Sequence, residues 1–376
     1  MATATLPAQQ VQPTAMLVAI LKRATELGAT DVHLKANLPP MMTLSGKIQA
    51  MPDAPVLNAQ QVEQILLGGL PQDQVHKFLA HKELDTAITV EGVARFRINV
   101  YRNQKTVGSV IRIIPLQIKS MEELGLPSVI KKMALERQGL ILVTGPTGSG
   151  KTTTLAAIID YINSNASGHI VTIEDPIEVI HPHKRCLITQ REVGDDTDSF
   201  ANAMKAALRQ APNVILIGEM RDRETIELAL KAAETGHLVF STLHTNDAVQ
   251  TINRVINAFA PHEQEQIRVQ LGNVLKGCVS QRLLPRADGP GRVASIDLMV
   301  ATATVRDAII KNHIDQLYEI IANGAFDGMM SANQSLMYHL DNGTIDYPTA
   351  LSYSENKQDL ILLARNAARA LKERVG

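Results

Sequence analysis

The chain of 376 residues contains no tryptophan and only six tyrosines and six phenylalanines, and its 37 basic residues are offset by 38 acidic ones to a formal net charge of −1. Nucleic-acid-binding surfaces draw on excess positive charge and on stacking rings, so both shortages argue against DNA or RNA as a partner. Only two cysteines occur, Cys186 and Cys278, and they form no C-x-x-C pair. That argues against a zinc module and leads us to expect two buried thiols in a reducing cytosol. No apolar run is long enough to cross a bilayer, and the opening MATATLPAQQVQPTAM lacks the order of an export signal, so a cytoplasmic protein is expected. Repeats and low-complexity blocks are missing as well. The small, polar, proline-containing residues 1–13 read as a mobile tail. The rest, within a chain that is 45% hydrophobic, is long enough for two or three domains with proper cores.

After the tail, Met16, Leu17, Val18, Ile20 and Leu21, with Ala24 and Leu27, form a helical stripe, followed by strand-like segments at 31–35 and 41–50, the second broken by a turn at Gly46. Helical patterns at 59–67 and 72–79 lead to strand-like segments at 84–90, 93–102 and 106–114. Residues 14–114 thus read as an α+β domain with an antiparallel sheet. Residues 115–127, with two prolines and Gly125, read as a linker. Over 128–303, strand-like runs at 140–144, 169–174, 214–218 and 238–243 alternate with helical patterns at 153–162, 200–210, 224–234 and 248–259. Such alternation is the mark of an α/β domain with a mainly parallel sheet between helices. Residues 304–376 read as several helices ending in an amphipathic run.

Residues 145–152 spell GPTGSGKT, the full G-x-x-x-x-G-K-[ST] spacing, between the apolar run 140–144 and a helical pattern. Gly145, Pro146, Thr147, Gly148, Ser149 and Gly150 would wrap backbone N–H groups around phosphates, with Lys151 reaching the β/γ oxygens and Thr152 offering its hydroxyl to Mg²⁺. Thr153 continues the same helix start. The expected ligands are therefore ATP and Mg²⁺.

Three more segments bear on that site. TIEDPIE at 172–178 puts Glu174, Asp175 and Glu178 where the second strand should end, the place where ligands gather in such sheets. A carboxylate there could orient the attacking water; a plain acidic surface turn would read the same way. VILIGEMRD at 214–222 delivers Glu219 from an apolar strand as a candidate outer-sphere metal contact. His237, and His244 within STLHTN, could sense a γ-phosphate or serve as ordinary satisfied polar groups. Arg95 and Arg97 share one sheet face by their spacing, close in sequence to Arg102 and Arg112. They could close over a nucleotide or form an ordinary solvated basic surface.

In this order, GPTGSGKT, TIEDPIE, VILIGEMRD and STLHTN resemble the secretion ATPase superfamily, and specifically the type IV pilus retraction motors of the PilT/PilU family. The resemblance extends to TDVHLKANLPP at 30–40, RFRIN at 95–99 and TQREVG at 189–194, whereas LRQAP at 208–212, TDSF at 197–200 and the segment 350–360 lean toward the PilU branch. It implies a PAS-like N-terminal domain, a RecA-like ATPase core and a hexameric homo-oligomer. It further implies Glu178 as the residue that activates water, Glu219 as metal support, and Arg97 and Arg112 as arginine fingers. Implied partners are a PilT-type ATPase and the platform protein of the pilus in the inner membrane. The stretch TVRDAIIK at 304–311 departs from the retraction motif of PilT proteins and favours an accessory, PilU-like role. A regulatory partner that binds nucleotide but turns over little is the alternative.

Overall fold

A computed structural model describes residues 13–44, 46–115 and 117–375. The expected tail, apart from Pro13, and Leu116 of the expected linker lie outside the described residues. The chain divides into two compact units, Met1–Gln117 and Ile118–Gly376.

In the first unit, the Thr14 side chain caps α1 (Ala15–Glu26) by accepting from the Leu17 N–H, and the helix buries Leu17, Ile20, Leu21 and Ala24 at i, i+3, i+4, i+7 spacing. Strands β1 (Asp31–Leu34), β2 (Met41–Leu44) and β3 (Lys47–Ala50) follow, then helices α2 (Ala59–Leu67) and α3 (Gln72–His81), then β4 (Glu83–Val90), β5 (Ala94–Asn103) and β6 (Thr106–Pro115). All strands pair antiparallel in the order β3-β2-β1-β6-β5-β4. Along β5, Ala94, Phe96, Ile98 and Val100 enter the core, so period-2 geometry sends Arg95 and Arg97 to the opposite face.

The second unit contains α4 (Val129–Ala134), β7 (Gly139–Thr144), α5 (Lys151–Asn165), β8 (Gly168–Glu174), β9 (Cys186–Glu192), α6 (Phe200–Ala207), β10 (Val214–Ile217), α7 (Arg223–Glu234), β11 (Leu238–Leu243), α8 (Ala248–Ile256), α9 (Gln264–Val274), β12 (Leu275–Pro285) and β13 (Arg292–Val300). Helices α10 (Ala303–Ile310), α11 (Leu317–Asn323), α12 (Ala332–Asp341), α13 (Tyr347–Tyr353) and α14 (Lys357–Val375) complete it. The sheet order is β13-β12-β7-β11-β10-β8-β9, parallel throughout except for the β12–β13 pair. Alternate residues of the parallel strands enter two cores. Leu140, Leu142, Ile215, Ile217 and Val239 pack with α7, α8 and α9, while Ile141, Val143, Leu216 and Phe240 pack with α5. Burying each such side chain favours folding by about 1.5–3 kcal/mol, which is why these strands read as unbroken apolar runs.

The pattern of residues does not mark α4, β9, α9, β12 or β13 as elements. In β12, Lys276 and Gly277 interrupt the apolar run, and the pairing with β7 shifts register between Leu275 and Gly277. Met121, within the segment expected to be a linker, is buried in the α5-side core, and α10 and α11 contribute Val305, Ile309 and Leu317 to the other. Both cysteines are buried and free. No described helix is long and apolar enough to cross a membrane.

Candidate active site

The β7 strand is buried along its whole length and ends at Thr144, where the chain turns into the 145–152 loop. Gly145 (φ 143°), Gly148 (φ 78°) and Gly150 (φ 91°) adopt backbone angles that other residues rarely take, and Gly150 stands at the N-cap of α5. Helix α5 begins at Lys151, two residues earlier than the apolar pattern indicates, because its first turn is polar. Neighbouring strands hold the loop on both sides. The Gly145 N–H donates to the Leu243 carbonyl at 3.3 Å, and Gln281 Nε2 on β12 donates to the Ser149 carbonyl at 2.6 Å. The loop and the exposed Thr152 and Thr153 therefore crown the free N–H groups of a helix start, an arrangement that favours anions.

Lys151 Nζ donates to the carbonyls of Gly145 (2.7 Å) and Pro146 (3.1 Å). Burial lowers its pKa, while the carboxylates of Glu219 and Glu178 pull it back up. Both acids thus lie within electrostatic reach of the lysine. Glu219 follows β10 and is gripped from two directions, by Arg221 Nε at 2.8 Å and by His244 Nε2 at 3.2 Å. His244 follows β11, whose Thr242 carbonyl accepts from the Met220 N–H at 3.1 Å and keeps the two strand ends together. Glu178 is exposed in the loop after β8. Half-buried Glu174 accepts from Thr172 Oγ1 at 2.6 Å and from Gln190 Nε2 at 3.2 Å, and burial raises its pKa. The carboxyl ends of β7, β8, β10 and β11 therefore gather Lys151, Glu178, Glu219 and His244 around one loop.

His237 does not join that cluster. His237 precedes β11, so it sits at the amino end of the strand while the 145–152 loop lies at the carboxyl end of its parallel neighbour β7. Six strand residues separate the two ends by roughly 20 Å, and His237 Nδ1 is occupied by the Ala232 carbonyl at 3.0 Å. The expectation that it binds nucleotide is corrected on that ground for its own protomer. Asp175 is exposed and lines a hollow with Phe200, Arg221 and Thr225. Glu174 is engaged by its own strand and by β9. Arg97 and Arg112 belong to the first unit, directly opposite each other on β5 and β6, and Arg112 Nε pairs with Asp31 Oδ1 at 3.1 Å. Gln281, Gln190 and Arg221 were not marked by the sequence. Each is a polar residue that looks like ordinary strand or turn surface until its partner is seen. A separate cavity of about 230 Å³ is lined by Asp247, Arg282, Asp297 and Glu355.

A glycine loop joining a central parallel strand to a helix, with carboxylates delivered by adjacent strands, defines a P-loop nucleoside triphosphatase with a RecA-like core. The sequence profile described as "Type II/IV secretion system protein" matches residues 84–324, and the chain belongs to that family. It is 40% identical over 346 residues to the type IV pilus ATPase PilU of Pseudomonas aeruginosa, covering 92% of this chain and 90% of that protein. It is 43% identical over 331 residues to the pilus retraction ATPase PilT of the same organism, covering 88% and 96%. The crystal structure of the pilus retraction motor PilT with bound ADP superposes with a TM-score of 0.86 at 43% identity, covering 91% of this chain and 98% of that one. The protein is an ATPase of this group, similar to both PilU and PilT.

Proposed function

We propose that the protein powers type IV pilus retraction as a hexameric ring at the cytoplasmic face of the inner membrane, pulling on the pilus platform protein and working beside a PilT-type ATPase as its PilU-like accessory. The observation that carries the chemical part is that Glu219, held by Arg221 and His244, and the loop bearing Glu178 follow the carboxyl ends of β10 and β8, in the same parallel sheet whose β7 leads into the 145–152 loop and Lys151. In this reading Lys151 and the N–H groups at the start of α5 hold the β- and γ-phosphates. Exposed Glu178 accepts the proton of the attacking water, and Arg97 and Arg112 supply guanidinium charge to the transferring phosphoryl group. The oxygen donors present suit Mg²⁺, which neutralises phosphate charge when bound: Thr152 is free to ligate directly, whereas Arg221 and His244 already engage both Glu219 oxygens and leave it an outer contact. Loss of the γ-phosphate would remove the ligand favouring one domain arrangement over another.

Turnover by the purified full-length chain is the test. Lys151→Ala is expected to abolish nucleotide binding and hydrolysis, and Glu178→Ala to lower kcat by about 10²–10⁴ with binding retained. Near-wild-type hydrolysis by Glu178→Ala would remove that residue from its role. The second reading, a regulatory partner with little turnover of its own, is favoured by the departure of α10 from the retraction motif. It requires that ATPase activity stay negligible alone and appear only with a PilT-type partner, whereas the motor reading expects turnover by the chain itself.

A further inference from the structure

We propose that Gln190 on β9 is a positioning residue for Glu178, an inference that rests on the reading of Glu178 as the group that activates water. Residues 175–185 carry no helix or strand. A carboxylate on such a segment would sample many positions, whereas proton acceptance requires it to stay within hydrogen-bond reach of one water. Here the backbone on both sides of Glu178 is fastened to a single strand. The Ile177 N–H donates to Glu192 Oε2 at 3.0 Å. Gln190 Nε2 donates to the Val179 carbonyl at 2.8 Å, and Gln190 Oε1 accepts from the His181 N–H at 2.8 Å. The same Nε2 reaches Glu174 Oε1 at 3.2 Å.

The register of the sheet explains how one strand does this. Thr172 pairs with Gln190 and Glu174 with Glu192, so Gln190 and Glu192 project from the same face of β9, level with the end of β8 where the loop departs. Glu178 is left exposed within a segment held before and after it. The chemistry also selects an amide at position 190. It donates to Val179 and Glu174 and accepts from His181, whereas a carboxylate would have no donor and would add charge next to Glu174.

Gln190→Met keeps the side-chain length and removes all three contacts. The measurements are kcat and KM for ATP, affinity for a fluorescent non-hydrolysable ATP analogue, and thermal unfolding, in the full chain with and without Glu178→Ala. We expect kcat to fall about tenfold or more while KM and analogue affinity stay within about twofold, because the phosphate-holding loop lies on other strands. In the Glu178→Ala background the same substitution should change the residual rate by less than about twofold. Should Gln190→Met fail to fold, Gln190→Glu gives the same readout, since it can keep the His181 contact and loses the donor to Val179. Wild-type kcat for both Gln190 variants, equal losses in the two backgrounds, or a parallel loss of analogue affinity would each overturn the positioning role. Wild-type kcat for Glu178→Ala alone would refute the base reading and this inference with it. An inactive Glu178→Ala beside an undiminished Gln190→Met would refute the positioning role only.

Discussion

Replacing Gly145 by alanine should cost far more than replacing Gly148, although both glycines belong to one loop and both have positive φ. A Cβ at Gly148 meets nothing within 4 Å, so Gly148→Ala carries only the strain of its φ of 78°, about 1–2 kcal/mol. A Cβ at Gly145 would lie 2.3 Å from the Gln281 carbonyl oxygen and 2.6 Å from Ser149 Oγ. The first of these is backbone in the middle of the β12 ladder and cannot swing aside. Overpacking of about 1–3 kcal/mol then adds to backbone strain of about 1–3 kcal/mol. At roughly 2–4 °C per kcal/mol for a unit of this size, Gly145→Ala should lower Tm by roughly 10 °C or more and Gly148→Ala by a few degrees. Because relief of the clash would push the loop off β12, Gly145→Ala should also weaken nucleotide binding at least about tenfold at temperatures where the protein stays folded. Scanning calorimetry and titration with a fluorescent nucleotide read both effects. Equal Tm losses for the two variants, with affinity intact in Gly145→Ala, would refute the view that β12 sets the shape of the loop.

Other outcomes follow from the same geometry. His237→Ala should leave nucleotide affinity within about twofold, because that side chain sits at the far end of β11, whereas His244→Ala frees Glu219 on one side and should lower kcat about tenfold; equilibrium binding and steady-state turnover distinguish the two. Asp297 is buried and its Oδ2 accepts from the Ala248 N–H at 3.0 Å; desolvation is the main cause that pushes its pKa up to about 7. Between the ordinary aspartate value near 3.9 and that value the folded chain keeps a proton that the unfolded chain has released, so this group's contribution to stability declines as pH rises from about 4 to about 7 and levels off above. Asp297→Asn should therefore gain on the wild type as pH rises from 5 to 8 in urea unfolding, and an unchanged difference between the two proteins would contradict the assignment. Asp31→Ala removes the half-buried partner of the exposed Arg112 and should change stability by about 1 kcal/mol or less, as measured by denaturant midpoint.

The elements legible in the sequence are those whose signal is local. Strands β7, β8, β10 and β11 are recognisable because burial on both faces demands apolar residues at every position, and the 145–152 loop because its glycine positions follow from local backbone angles. Arg95 and Arg97 on β5 separate from the core residues by simple alternation. Strands β9 and β12 escape notice because their polar residues do structural work elsewhere. Gln190 bonds the backbone of Val179 and His181, 11 and 9 residues away in sequence, and Gln281 donates to the Ser149 carbonyl, 132 residues away. No periodicity records such a contact.

The same division holds for chemistry. By itself the sequence determined the phosphate-binding loop, the acids and histidine that accompany it, and the order of strands and helices, since these depend on residue type and short spacing. Only the tertiary structure decided that His244 grips Glu219 while His237 faces the opposite end of the sheet. Both histidines follow or precede the same strand, and a strand's two ends lie roughly 20 Å apart however close they are in the chain. It also decided that the segment bearing Glu178 is held by β9, because hydrogen bonds between distant segments exist only once the parallel register has brought them within 3 Å.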